Sequence, residues 1–185
     1  MNDEEKIFLR PKSRSLTALP DNFDSKRNFI APPHEEDLIQ AVYHKYAKTK
    51  KGTMDFEMFK LFLANLGQHI NINNVVHSFT DAPIIFLYLD KNADGVISYE
   101  EFCSWWATSE KYSLFVSPTL NLLKQAHTLF TKYTNNHGSM TTKQFSHFVE
   151  GEYTGHVNDR VFDVIDTDDD GLISFYEFCT WLKWF

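Results

Sequence analysis

Ten oxygen-bearing side chains recur at fixed spacings in the 185-residue chain. Asp90, Asn92, Asp94, Ser98 and Glu101 reappear 76 residues later as Asp166, Asp168, Asp170, Ser174 and Glu177. Each set reads Asp-x-[Asn/Asp]-x-Asp-Gly, then five residues, then Glu. Carboxylates and amides at alternate positions suit a hard divalent ion such as calcium, which takes six to eight oxygen ligands. Oxygens at positions 1, 3 and 5 wrap one side of the ion. Gly95 and Gly171 at position 6 permit the sharp turn, and the carbonyls of Val96 and Leu172 at position 7 add a ligand. Ser98 and Ser174 at position 9 stand where the ligand is often a side-chain-held water. Glu101 and Glu177 at position 12 close the shell with two oxygens each.

The repeat extends past the ligands. Asp90–Trp106 and Asp166–Leu182 align without a gap and share nine identical positions, among them Cys103/Cys179 and Trp105/Trp181. Internal repetition at this density marks a duplicated structural unit. Both copies fit the loop pattern of EF-hand proteins, and the chain resembles that family over essentially everything after residue 33. The resemblance implies helix-loop-helix units working in pairs, with Ile97 and Ile173 at position 8 making a short β-bridge to a partner loop.

Partners for the two complete loops are found at breaks in the helical pattern. Ala47–Met58 keeps a glycine at position 6 (Gly52) and an apolar residue at position 8 (Met54). Its ligand positions hold Ala47, Thr49, Lys51 and Met58, a set that cannot hold a dication. Tyr133–Gln144, aligned on Gly138, places Tyr133, His137 and Gln144 at positions 1, 5 and 12. Aligned on the preceding helix instead, that loop is one residue short. Both registers lack the closing carboxylate, so this hand is expected to be silent too.

Apolar residues at helical spacing supply the flanking elements. Pro33 and the acidic Glu35, Glu36 and Asp37 open a helix whose inner face is Ile39, Val42, Tyr43 and Tyr46. Phe59, Phe62, Leu63 and Leu66 form a second stripe, with Gly67 expected to end it. Leu122, Leu123, Ala126 and Phe130 line a helix after Ser117-Pro118. Phe145, Phe148 and Val149 make another that Gly151 should close, and Phe178, Trp181, Leu182 and Phe185 line the last. The expected fold class is therefore all-α, with two EF-hand pairs and short two-stranded β-bridges. The expected division is a tail at 1–33, an N-lobe at 34–108, a linker at 109–117 and a C-lobe at 118–185.

Composition narrows the function. Hydrophobic residues make up 43% and charged residues 23%, as in a folded globular chain. A net charge of −7 speaks against nucleic acid as a partner. The longest apolar run, Pro83 to Leu89, is too short to cross a bilayer. The acidic start, Met1 to Glu5, carries no secretory signal, and two cysteines build no disulfide framework, so a cytoplasmic location is expected. Eight dispersed histidines show no zinc spacing. No phosphate loop, nucleophile elbow or kinase signature is present, so no enzyme is expected.

Two calcium ions per chain are expected, bound by Asp90, Asn92, Asp94, Val96, Ser98 and Glu101 and by Asp166, Asp168, Asp170, Leu172, Ser174 and Glu177. The second loop has four acidic ligands against three and should bind more tightly. Trp105, Trp106, Trp181 and Trp184 all lie after the complete loops. They are either core residues or an aromatic groove that calcium uncovers for the amphipathic helix or apolar segment of a protein partner. Three functions fit: a calcium-dependent regulator, a permanently attached light-chain-like subunit, or a buffer.

Overall fold

The computed structural model describes residues 35–70, 78–108, 112–115, 118–134, 138–152 and 160–183. The expected N-terminal tail, Trp184 and Phe185 lie outside the described residues. Among the described residues, eight α-helices and two short strands follow in order. They are α1 (Glu35–Tyr46), α2 (Phe56–Ile70), α3 (Ser78–Leu89), α4 (Tyr99–Trp106), α5 (Thr119–Thr134), β1 (Ser139–Thr141), α6 (Thr142–Glu152), α7 (Val161–Ile165), β2 (Leu172–Ser174) and α8 (Phe175–Leu182). The architecture is all-α with a two-stranded ladder and one isolated bridge.

Local chemistry explains the helix ends. Glu35, Glu36 and Asp37 occupy the first turn of α1 and His44 and Lys45 its last, each matching the helix dipole. Exit helices α4 and α8 begin with a complete capping box, Ser98 with Glu101 and Ser174 with Glu177. Neither glycine expected to end a helix does so. Gly67 lies inside α2, which runs on to Ile70, and Gly151 lies inside α6, which runs on to Glu152. An interior glycine costs only about 1 kcal/mol, less than the packing that carries the helix forward.

The loops pair as their glycine-to-apolar spacing requires. Met54 and Ile97 exchange both backbone hydrogen bonds, 3.0 and 2.8 Å, in an antiparallel bridge. Tyr43 on α1 donates its hydroxyl to the Ile97 carbonyl at 2.9 Å, tying the first helix to that bridge. In the second pair, Ser139, Met140 and Thr141 face Ser174, Ile173 and Leu172. Beneath each bridge lies an aromatic core. Phe59, Phe62, Phe102 and Trp105 are buried in the first pair, and Phe130, Phe148, Phe175 and Phe178 in the second. Ring pairs meet mostly edge-on, for example Phe62 against Trp105 at 6.0 Å and Phe148 against Phe178 at 5.2 Å. Such pairs add about 0.5–1.5 kcal/mol each beyond area burial.

The described residues form one compact unit with a continuous apolar interior. Helix α3 packs against both α5 and α8. Leu114 and Phe115, within the stretch expected to link the pairs, are buried in a 3-10 turn, and Phe115 meets Trp105 at 6.0 Å. An ion pair of the buried Asp81 on α3 with the partly exposed Lys124 on α5, at 2.8 Å, also crosses the junction.

Candidate metal centres

Each complete loop starts where an entering helix stops. Asp90 directly follows α3, and Asp166 caps the C-terminus of α7. Both carboxylates point into their loops and hold them by the backbone. Asp90 Oδ1 accepts from Asp94 N at 3.1 Å and Oδ2 from Gly95 N at 2.9 Å. Asp166 repeats this with Asp170 N at 3.2 Å and Gly171 N at 2.9 Å. The remaining ligand positions follow suit: Asn92 and Asp168 accept from Asp94 and Asp170, and those two accept from Val96 and Leu172. The turn demands left-handed backbone. Gly95 and Gly171 have φ of 83° and 81°, while Ala93 and Asp169 at position 4 reach 54° and 57°.

The position-12 glutamates are folded inward. Glu101 Oε1 accepts from Lys91 N at 2.8 Å and its Oε2 from Ser98 N at 2.7 Å. Glu177 Oε1 accepts from Thr167 N and Oγ1, both at 2.7 Å, and its Oε2 from Ser174 N at 2.9 Å. One oxygen thus grips the start of the loop and the other caps the exit helix. Ser98 and Ser174 return the bond by accepting the glutamate N–H at 3.2 Å. Sequence reasoning assigned these serines to a water ligand and missed the cap, although Ser-x-x-Glu is its plain signature.

The donor set fits calcium. Oxygens of Asp166, Asp168 and Glu177 lie within 4.8 Å of one another. Two ligands across an ion at 2.3–2.6 Å stand at most about 5 Å apart, so one ion can reach all three. In loop 90–101 the amide of Asn92 replaces one of those carboxylates. Burial, and after it the neighbouring acids, holds two of the loop carboxyls above their ordinary values. Burial pushes Asp90 up to about 7, against the stabilising N–H of Gly95, with Glu101 and Asp94 adding to the rise. Asp168 is likewise raised, by burial and then by Asp170 and Glu177.

The two loops expected to be silent are held differently. In the first, Thr49 and Thr53 hydroxyls meet at 2.7 Å, Thr53 N donates to Thr49 Oγ1 at 2.9 Å, and Gly52 has φ of 73°. In the third, the Met140–Ile173 pairing sets Met140 at position 8 and hence Gln144 at position 12. The helix gives a different register. Phe130 lies four residues before Thr134, as Phe86 and Phe162 lie four before Asp90 and Asp166. Thr134 is buried, as those two acids are. Six residues lead from Thr134 to Met140, where seven lead from Asp90 to Ile97 and from Asp166 to Ile173. Both alignments expected from sequence therefore hold at once, and the loop is one residue short. The Thr134 hydroxyl has no hydrogen-bond partner among the described residues.

Comparison with known proteins agrees with this geometry. The family described as "EF-hand domain pair" matches residues 50–107 and 156–183. Calcium-binding protein F of Dictyostelium discoideum is 22% identical over 151 residues, 78% of this chain and 83% of that protein. Calglandulins of the snakes Pseudechis porphyriacus and Notechis scutatus scutatus are 27% identical over 81 residues, 44% of this chain. The chain spans about half the length of those calglandulins, 47%. No helix among the described residues is long and apolar enough to cross a membrane.

Proposed function

We propose that this chain, an EF-hand calcium-binding protein, holds two calcium ions and acts as a calcium-dependent regulator of a protein partner. One ion would be held by Asp90, Asn92, Asp94, Val96, Ser98 and Glu101, the other by Asp166, Asp168, Asp170, Leu172, Ser174 and Glu177. The observation that carries the calcium assignment is the convergence of Asp166, Asp168 and Glu177 oxygens on one point. The same backbone bonding pattern in loop 90–101 extends it to the first pair. Bound calcium would supply the positive charge that relieves repulsion among these carboxylates.

The regulator reading rests on what the exit helices carry. The glutamates that close the loops are the third residues of α4 and α8. Trp105 is buried and Trp106 and Trp181 are half-buried, packed on Phe62, Phe145 and Phe148. Rotation of an exit helix would draw these rings out of the core and offer them to an amphipathic helix or apolar segment. The unpaired thiols of Cys103 and Cys179 suit a reducing, cytoplasmic setting.

One observation favours a second reading. Both glutamates are already turned into their loops while Trp105 stays buried, so filling the cage need not open the pair. That would make the chain a buffer or a permanently bound light-chain-like subunit. Calcium titration followed by tryptophan emission and by a hydrophobic dye separates the two. A large rise in both signals supports the regulator. Calcium uptake with neither signal supports the second reading.

A further inference from the structure

Each pair contains a single complete loop, and its β-bridge leads only to a silent partner. Communication between the two complete loops must therefore cross the junction of the pairs. A direct contact exists there. Lys91, at position 2 of the first loop, places Nζ 4.6 Å from the centroid of the Tyr176 ring, at position 11 of the second. Tyr176 also meets the ring of Tyr88 at 5.4 Å, two residues before Asp90. Beside this contact a cavity of about 270 Å³, with Trp105, Leu114 and Thr119 on its walls, separates the pairs.

We infer that the two loops bind calcium with positive coupling, carried by the Lys91–Tyr176 contact. The inference rests on reading both loops as calcium sites. The backbone N–H of Lys91 is held by Glu101 Oε1. Tyr176 immediately precedes Glu177, whose Oε1 holds Thr167 in the same way. Each closing glutamate is therefore one residue or one hydrogen bond from the shared contact. Fixing Glu177 on an ion fixes the Tyr176 backbone and its ring. Lys91, already held by Glu101, then rests on a fixed ring when loop 90–101 takes up its ion, and that ion meets a loop already partly ordered. Linkage makes the effect reciprocal. Lys91 and Tyr176 are positioning residues here, acting through the glutamates beside them.

The test is the calcium affinity of loop 90–101 in the full chain, followed by the Gly95 amide signal in NMR titrations. It is measured with loop 166–177 intact and with that loop disabled by Glu177→Gln. The ratio of the two affinities should be at least about fivefold. Tyr176→Leu should bring the ratio to unity, whereas Tyr176→Phe, which keeps the ring face, should preserve it. Lys91→Met gives a second route. Its loss of charge acts on loop 90–101 in both arms and cancels, so the ratio again isolates the coupling. A ratio of one in the wild-type chain, or a ratio unmoved by Tyr176→Leu and Lys91→Met, overturns the inference. Absence of any calcium response at Gly95 and Gly171 is a different failure, since it defeats the assignment of the sites themselves.

Discussion

Met58 Sδ accepts the backbone N–H of Lys48 at 3.2 Å, in the place where Glu101 receives Lys91 and Glu177 receives Thr167. Position 12 thus grips position 2 in three of the four loops, whether or not an ion can be held. Capping of the exit helix persists in the other two hands, with Asp55 at position 9 taking the serine's part and Gln144 at position 12 the glutamate's. Asp55 Oδ1 accepts from Met58 N at 2.9 Å, and Gln144 Oε1 accepts from Thr141 N at 2.9 Å. Loop 47–58 therefore keeps the full scaffold without acidic ligands at positions 1, 5 and 12, whereas loop 133–144 keeps the cap but is one residue short.

Gln144 forecasts what Glu177→Gln will do. An amide oxygen at position 12 can still cap the helix, but the amide nitrogen cannot accept from Thr167, so the substituted chain should stay folded with a loss of about 1–3 kcal/mol in chelator. Its second ligand atom becomes an amide nitrogen, which does not bind calcium. Calorimetry should therefore show one ion fewer per chain, with the thermal midpoint in chelator lowered by a few degrees. Glu101→Gln should behave alike.

The two silent hands should differ in how they can be revived. Loop 47–58 has the full length, so replacing its ligands with Ala47→Asp, Thr49→Asp, Lys51→Asp and Met58→Glu should create a third calcium site. The corresponding changes in loop 133–144 should fail, because Thr134 and Met140 hold it one residue short. Inserting one residue before Gly138 together with those changes should succeed. Stoichiometry by calorimetry decides each case.

Loop 166–177 should fill before loop 90–101, since it offers Asp168 where the other offers Asn92. Asp168→Asn should narrow the gap between the sites and Asn92→Asp should narrow it from the other side. The order is read from the calcium level at which the Gly171 and Gly95 amide signals shift.

These distinctions follow how far the sequence could be read. Loop identity was legible, because ligand chemistry and glycine geometry are local and repeat. Both bridge registers were legible for the same reason: Met54 and Met140 stand two residues after a glycine, as Ile97 and Ile173 do. Helix ends at Gly67 and Gly151 were not, since a weak local preference yields to tertiary packing. The junction of the pairs was also hidden. Position 11 is Glu100 in one loop and Tyr176 in the other, so the residue that reaches Lys91 breaks the repeat. Leu114 and Phe115 lie in a short stretch with no period to reveal their burial.

Stability in chelator should carry the mark of His127. It is half-buried with its ring edge-on to Phe175 at 5.6 Å, and burial lowers its pKa. The folded chain then binds a proton less readily than the unfolded chain. Stability should fall as pH drops through the ordinary histidine value of about 6.5 and level off below the folded value. His127→Gln should remove that part of the slope. Urea midpoints of both proteins between about pH 7.5 and 5 give the difference.

Gly151 should show a reversal of sign. A Cβ built there lies 2.6 Å from Tyr133 Oη, a distance that forces something to move. The tyrosine cannot swing freely: its ring packs edge-on against Phe148 at 5.5 Å, and its hydroxyl donates to Glu152 Oε1 at 3.0 Å. Gly151→Ala should therefore destabilise the wild-type chain even though alanine favours a helix. Tyr133→Phe removes the offending oxygen, leaving the ring carbons no nearer than 3.6 Å, an ordinary contact. In that background Gly151→Ala should stabilise by up to about 1 kcal/mol, the usual gain of alanine over glycine in a helix. A double-mutant cycle of urea midpoints reads the coupling directly. Destabilisation of equal size in both backgrounds would mean that α6, and not Tyr133, resists the added methyl.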